Sequence, residues 1–487
     1  MQHRQISSLH FAVRPRVLLK YGGQLLVVFS LLTSVTFFVS LLAGEYLLSW
    51  IYGTIIATTG LSGFLLQRME APVNLQNNEV LTLSAAVFII IPLIASIPFQ
   101  QAGLGFSDAI FEAVSAVTTT GLSTLPTVQD YPKTFLFSRA WLQWVGGLGI
   151  VVLGVAILLP QSPAALRLFS GNWQKENVVT STKAYARAVL MVYIVLTVLG
   201  VGALLLQGGE RFSAVCHILA AVSTGGFSTF DNSLAGFSQG QLRTTIIFFC
   251  FLGAMPLGLY YQSLSSGVGR FFANIEVIGL ISASLGASLL LSLLLYQLDG
   301  FSIQEALQSG PLLAISAQTT AGFAGLTVAD LSNGSKLLVI FLMAVGGNIG
   351  STAGGIKIMR LLVIAKMIHL LFQKIGLANG AVVQPRYMGK RLEPDEIERC
   401  FLLVFLFVGV ILLSWLPFVI MGYPALDALF EVVSACGTVG LSTGITSLEL
   451  PTSLKGILCL DMLLGRLEIV AILLIFYPPT WYGRKKG

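Results

Sequence analysis

Ten apolar runs, each long enough to cross the hydrocarbon core of a bilayer, dominate this chain. They lie near residues 21–43, 46–67, 80–99, 134–160, 184–207, 241–265, 273–297, 336–372, 396–421 and 453–477. A run of about 20 apolar residues spans as an α-helix, because only internal hydrogen bonds can satisfy its backbone in lipid. The chain is 55% hydrophobic and 10% charged over 487 residues, with a mean hydropathy of +0.84. A soluble domain carries about 25% charged residues, so this composition specifies an all-α polytopic membrane protein. The first twenty residues, MQHRQISSLHFAVRPRVLLK, are polar and basic, and the run after them reads as a retained helix rather than a cleaved leader.

Four shorter apolar stretches, near 106–118, 212–223, 304–317 and 425–436, are too short to span and read as re-entrant or interfacial helices. Ten spans place both termini on one side. With the N-terminus inside, the cytoplasmic segments collect most of the basic residues, including Arg14, Arg16, Lys20, Arg187, Arg270, the cluster from Lys366 to Arg399, and Lys485. That asymmetry follows the positive-inside rule and accounts for the net charge of +6 without nucleic acid. It also sets all four short helices on the outer side. Asp108, Glu112, Asp231, Asp299, Glu305, Asp427 and Glu431 fall on the same face, either as solvated loop residues or as a negative mouth that concentrates cations. The five cysteines and four histidines are scattered, with no metal or disulfide spacing. His217, inside a short helix, reads as a packed residue rather than a ligand.

Each short helix is followed by one version of the same phrase: VTTTGLSTL (117–125), VSTGGFSTF (222–230), QTTAGFAGL (318–326) and CGTVGLSTG (436–444). All four share Thr, any residue, Gly, then Leu or Phe, then Ser or Ala. A single Thr-x-Gly carries almost no information; four in register define a repeated unit of span, re-entrant helix, polar phrase and span. Two further helices precede the first unit. The boundaries are 1–70 for the two-helix extension, then 71–170, 171–270, 271–375 and 376–487 for the four units. Irregular backbone at membrane depth is tolerated where it lines a watery cavity or is buried in protein. Four such segments around one axis direct carbonyl oxygens inward, where they can replace a monovalent cation's hydration shell. Glycine permits the backbone angles this needs, and each short helix turns its partly negative C-terminal end toward the ion. The small Thr and Ser side chains can hold the loop.

This pattern resembles the bacterial Trk/Ktr potassium transporters, in the superfamily that includes the fungal Trk and plant HKT proteins. The two leading helices look more like the TrkH/TrkG branch than the shorter KtrB branch. The resemblance implies ten transmembrane helices in four pseudo-symmetric, potassium-channel-like units around one central pore, in the bacterial inner membrane with both termini cytoplasmic. It implies a filter built from Thr119, Thr120 and Gly121; Thr224, Gly225 and Gly226; Thr320, Ala321 and Gly322; and Thr438, Val439 and Gly440. Glycine at all four final positions implies potassium as the transported ion. Ala321, Val439 and Gly437 make the later quarters less polar than the first. The resemblance also implies a homodimer with one pore per protomer and a TrkA-like cytoplasmic, nucleotide-binding regulatory ring. The mixed-charge stretch 373–399 is either a solvated loop or the place where such a partner docks.

Within the eighth run, MAVGGNIGSTAGGIKIMR (343–360) carries Gly346, Gly347, Gly350, Gly354 and Gly355 with Ser351 and Thr352, and leads to Lys357. It reads either as close helix packing or as a broken helix. It resembles the family's intramembrane loop, which obstructs the pore beneath the filter. The last run places Asp461, Arg466 and Glu468 deep in apolar surroundings, where a charge marks function or a buried pair. Arg466 either pairs with a carboxylate or faces the pore; its GRLE context matches the family's barrier arginine. WVGGLGIVVLG (144–154) has a glycine spacing that superficially matches a dinucleotide fingerprint, but it lies inside a span with no preceding strand. Three other readings compete with a gated pore. An ion-coupled symporter or sodium-permeable transporter differs only in energetics; a membrane enzyme lacks clustered acid–base residues; a voltage-gated channel lacks an arginine-rich helix.

Overall fold

The computed structural model describes residues 12–72, 75–149, 178–267, 269–376, 384–387 and 390–482. Two leading helices, α1 (Pro15–Leu42) and α2 (Tyr46–Gln67), form an antiparallel hairpin. Gly23 and Gly63 let them approach: a Cβ on Gly23 would sit 2.8 Å from the Gln67 amide nitrogen, and one on Gly63 2.9 Å from that of Val27. Arg14, just before α1, pairs with Glu79 at 2.7 Å and so ties the hairpin to the next helix.

After the hairpin, one order of elements recurs. A long helix leads to a short one and then to a second, shorter or broken helix. The first set is α3 (Asn77–Gln101), α4 (Phe106–Val117) and α5 (Lys133–Leu148). The second is α6 (Val178–Leu206), α7 (Arg211–Val222), α8 (Gly240–Gly253) and α9 (Leu257–Ser266). The third is α10 (Ile275–Leu298), α11 (Ile303–Gln318), α12 (Asn333–Val345) and α13 (Ile358–Ile375). The fourth is α14 (Pro394–Ile420), α15 (Ala425–Cys436), α16 (Thr452–Arg466) and α17 (Val470–Phe476). A two-stranded hairpin, Arg386–Tyr387 against Lys390–Arg391, packs Tyr387 against Met359 and Val363 of α13.

Burial is arranged oppositely to that of a soluble protein. Along α14 only Phe407, Ile411 and Phe418 are buried, while Phe405, Leu413 and Ile420 are about three-quarters exposed. Such an apolar outer surface is lipid-facing. The short helices are the most enclosed elements: α4 and α15 bury nearly every residue from their first turn onward. The other two short helices have polar N-caps: Glu210 accepts the Phe212 and Ser213 amides at α7, and Ser302 caps α11 with Glu305. Ion pairs brace the N-terminal ends of α4 and α15. Lys455 of α16 reaches Asp108 of α4 at 2.6 Å, and Lys336 of α12 reaches Asp427 of α15 at 2.9 Å.

Among the described residues six helices are long and apolar enough to cross a membrane, or seven if α8 and α9, bent by 85°, make one span. Ten spans are expected from the sequence, the eighth of them either tightly packed or broken at 343–360. In the second, third and fourth sets the difference lies in the second helix, whose apolar run continues while its helix does not; the run 134–160 lies outside the described residues from 150 onward. Gly146, Gly253 and Gly465 fall at one corresponding position in α5, α8 and α16. A Cβ on them would collide with the last-turn carbonyls of the adjoining short helices, at Val117, Val222 and Cys436. Just beyond this contact α8 ends, and α16 gives way to Glu468 and Ile469 at φ 54° and 64°. The helix α12 stops at Gly346, which takes φ 72° and packs against the Gly354 carbonyl of the following loop instead.

Candidate functional site

Each short helix terminates in the same way. After α4, the Thr120 amide bonds to Ser115 O at 2.9 Å and the Thr119 amide to Ala116 O at 3.1 Å. The pairs Gly225–Ala220 and Thr224–Ala221, Ala321–Ser316 and Thr320–Ala317, and Val439–Ser434 and Thr438–Ala435 repeat this pattern. This is a Schellman stop, which ordinarily places glycine in the left-handed position. Here that position is threonine four times, at φ 56°, 51°, 55° and 51° for Thr119, Thr224, Thr320 and Thr438. A β-branched residue there costs about 1–2 kcal/mol, strain that persists only where surroundings impose it. Two residues on, Gly121, Gly226, Gly322 and Gly440 are again left-handed, at φ 85°, 81°, 74° and 94°, while the residue between keeps an ordinary φ. Alternating the hand of successive residues turns their carbonyls toward one side of the chain.

The four phrases meet. A Cβ on Gly121 would collide with the carbonyl oxygen of Gly225, one on Gly226 with that of Ala321, one on Gly322 with that of Val439, and one on Gly440 with that of Thr120. Each glycine thus abuts the middle carbonyl of the next phrase, and the fourth returns to the first. Of the twelve residues expected at the filter, the four glycines and the four residues before them make the contacts of this ring, and Thr119, Thr224, Thr320 and Thr438 each stand one residue ahead of them. The ring is uneven: Gln143 of α5 donates to Gly225 O at 2.5 Å and accepts from the Phe227 amide at 3.2 Å, a support that sequence reading did not anticipate.

Beneath the ring lies the segment 346–357. Gly346, Gly350 and Gly355 and the non-glycine Lys357 all take positive φ, so the chain doubles back, with Ile356 and Lys357 amides returning to Ala344 O and Val345 O. The broken-helix reading therefore holds over simple glycine packing. The Gly346 carbonyl accepts from Gln318 Nε2 at 2.7 Å, while a Cβ on Gly347 would fall 2.5 Å from that of Ala353. Ser351 donates to Asn348 O at 2.6 Å. Thr352 donates to Gly253 O at 3.0 Å, with Val222 O at 3.1 Å, and its hydroxyl lies 3.3 Å from that of Thr224. The Gly354 amide donates to Thr320 Oγ1 at 2.7 Å. Lys357 folds its ammonium onto the loop's own Ala353 carbonyl.

Arg466 has carbonyls rather than a carboxylate as its partners. Nη1 donates to Thr352 O at 2.6 Å and Nη2 to Gly146 O at 3.1 Å, so the guanidinium pins the loop to the end of α5. The nearby carboxylates are engaged elsewhere. Glu468 pairs with Arg360 at 2.6 Å, and Asp461 accepts from Ser414 at 2.6 Å. Several buried polar atoms of this region have no protein partner: the hydroxyls of Thr119 and Thr438, the Asn348 amide and Arg466 Nε. Inward carbonyls above orphaned hydroxyls fit a cation exchanging water for protein oxygen. Residues 150–154 of the glycine-rich 144–154 stretch lie outside the described residues, while 144–148 belong to α5.

The sequence model of the TrkH family, described as cation transport protein, matches residues 50–274 and 299–480. An uncharacterized cation transporter of Methanocaldococcus jannaschii is 31% identical over 85% of each chain. The Trk system potassium uptake protein TrkH of Halomonas elongata is 29% identical over 96% of this chain and 99% of its own. The crystal structure of the potassium transporter TrkH from Vibrio parahaemolyticus superposes with a TM-score of 0.85 at 25% identity, covering 96% of this chain and 100% of that one. A closed ring of Thr-x-Gly phrases, an inner loop pinned by an arginine, and these matches lead to one conclusion: the chain belongs to the TrkH family of cation transport proteins.

Proposed function

We propose that this chain is the membrane subunit of a Trk-type potassium uptake system, in which potassium passes single file through the ring. The observation that carries this reading is the closure of four Thr-x-Gly phrases, each with the same alternation of backbone hand, into one cycle. In this reading the filter is Thr119–Gly121, Thr224–Gly226, Thr320–Gly322 and Thr438–Gly440. The units 71–170, 171–270, 271–375 and 376–487 are four pseudo-symmetric parts around one pore, and 1–70 is an added hairpin. The ten-span count follows if each broken second helix crosses as one span.

The segment carrying Gly346, Gly347, Gly350, Ser351, Thr352, Gly354, Gly355 and Lys357 acts as the gate, with Arg466 as both its latch and a positive barrier below the filter. The chain lies in the bacterial inner membrane with both termini cytoplasmic and works as a homodimer. A TrkA-like nucleotide-binding ring on the cytoplasmic face releases the loop. Support for that side comes from the basic residues of the inner segments and from the Arg386–Arg391 hairpin packed on α13, the helix that continues the gate. An inward-negative potential contributes about 2.3 kcal/mol per charge per 100 mV, which drives accumulation without a coupled ion. Membership of a cation-transport family sets aside the membrane-enzyme reading.

Purified protein in potassium-loaded or sodium-loaded proteoliposomes tests this. Potassium and rubidium flux exceeding sodium flux is the expected result. Absence of potassium flux with the regulator bound and activated contradicts it.

A further inference from the structure

Behind the ring a second pattern repeats. In the first quarter Ser123, two residues after the ring glycine, donates its hydroxyl to Glu112 Oε1 of α4 at 2.6 Å. In the fourth, Ser442 donates to Glu431 Oε1 of α15 at 2.6 Å. In the second, Ser228 lies 2.9 Å from His217 Nε2 of α7. The other imidazole nitrogen, Nδ1, lies 2.7 Å from Ser213 O. A carbonyl only accepts, so Nδ1 carries the proton and Nε2 receives the serine hydroxyl. Glu112, His217 and Glu431 hold one register position, five residues before the last residue of each short helix. All three are fully buried.

The second half of the relay repeats too. The amides of Leu125, Phe230 and Gly444 donate back to the oxygens of Ser123, Ser228 and Ser442 at 3.2, 2.9 and 2.9 Å. Each serine is thus a fixed link between the strand leaving the ring and the helix behind it. The acceptors are themselves held: Glu112 by Arg139 Nε at 2.9 Å, and Glu431 by Thr446 at 2.6 Å. The third quarter breaks the pattern at both ends together, with Ala324 where the serine should be and the fully buried Leu313 where the acceptor should be. That quarter leans on its neighbour instead: the Ala324 amide donates to Ser233 Oγ at 3.2 Å and its carbonyl accepts from the Leu234 amide at 2.9 Å.

We propose that Glu112, His217 and Glu431 are positioning residues that fix three quarters of the filter through Ser123, Ser228 and Ser442, and so set how well the ring discriminates potassium from sodium. Discrimination requires carbonyls that do not close around a smaller ion, and a buried hydrogen bond from the helix is what resists that closure. The third quarter, without the bond, is the compliant one.

The inference rests on the filter reading, and the two fail separately. The measurement is the ratio of rubidium to sodium flux in proteoliposomes, with thermal stability recorded for every variant. Ser228→Ala and Ser442→Ala remove one hydroxyl each and are expected to lower the ratio about threefold apiece, the effect of one modest hydrogen bond, with little change in stability. Glu431→Gln, which keeps an accepting oxygen, should lose less selectivity than Glu431→Leu. Leu313→Gln with Ala324→Ser, which installs the link in the third quarter, should raise the ratio. Wild-type ratios in both serine variants would overturn the proposal while leaving the filter reading intact; wild-type protein with no potassium preference would overturn the filter reading itself.

Discussion

Arg466 offers the sharpest test of the proposed gate. Replacing it by alanine removes the bonds to Thr352 O at 2.6 Å and Gly146 O at 3.1 Å; the Gly147 carbonyl, at 3.5 Å, adds little. Charge-assisted bonds contribute about 1.5–3 kcal/mol each, and the lower figure applies because water can occupy the freed carbonyls. Losing two therefore weakens the closed loop by about 3 kcal/mol, a shift of about 100-fold in the closed-to-open ratio. Basal rubidium uptake into proteoliposomes without any regulator should rise toward that factor. Arg466→Lys separates the two roles of the side chain. It keeps the positive charge beneath the filter but loses the fork that grips two carbonyls, so its leak should fall between wild type and Arg466→Ala. Flux that is unchanged or lower in Arg466→Ala, with the fold intact by thermal melting, would refute the latch.

Gly322→Ala places a Cβ against the Val439 carbonyl at a residue with φ of 74°, so the ring must open or distort. Potassium flux should fall at least about tenfold, consistent with about 1–2 kcal/mol of backbone strain plus the displaced carbonyl, as measured by rubidium uptake. Lys455→Met leaves Asp108 buried without its cation and should cost about 3–5 kcal/mol, seen as a lower melting temperature. Asp108→Asn combined with Lys455→Met should recover much of that loss, because no unpaired charge remains buried.

The short helices were legible because composition marks both their ends. Each begins near an acid or a cap and ends at Thr-x-Gly, and Phe106–Val117, Arg211–Val222, Ile303–Gln318 and Ala425–Cys436 fall within a residue or two of their expected places. The breaks in the second helices were legible only at 346–357, where glycines cluster. In CLDMLLGRLEIVAIL the hydropathy is continuous; the turn at Glu468 and Ile469 follows from tertiary contact between Gly465 and the Cys436 carbonyl, which no local pattern records. The sequence marks Arg466 as a buried charge, but its partners could not be read. Backbone carbonyls carry no residue signature, whereas carboxylates do, so a carboxylate pair stood as an equal alternative. The spacing that sets Glu112, His217 and Glu431 nine residues before Gly121, Gly226 and Gly440 is present in the sequence. His217 hid it, because an imidazole beside two carboxylates reads as a packed residue until the hydrogen bonds show all three as acceptors.

In the proposed function the four phrases form one ion-binding ring. Crystals grown in rubidium, examined at its absorption edge, test that most directly. Anomalous density is expected on the axis between the carbonyls of Thr120, Gly225, Ala321 and Val439, which the ring glycines bring into succession. Rubidium bound elsewhere in the protein, with the axis empty at full occupancy of the other sites, would contradict it.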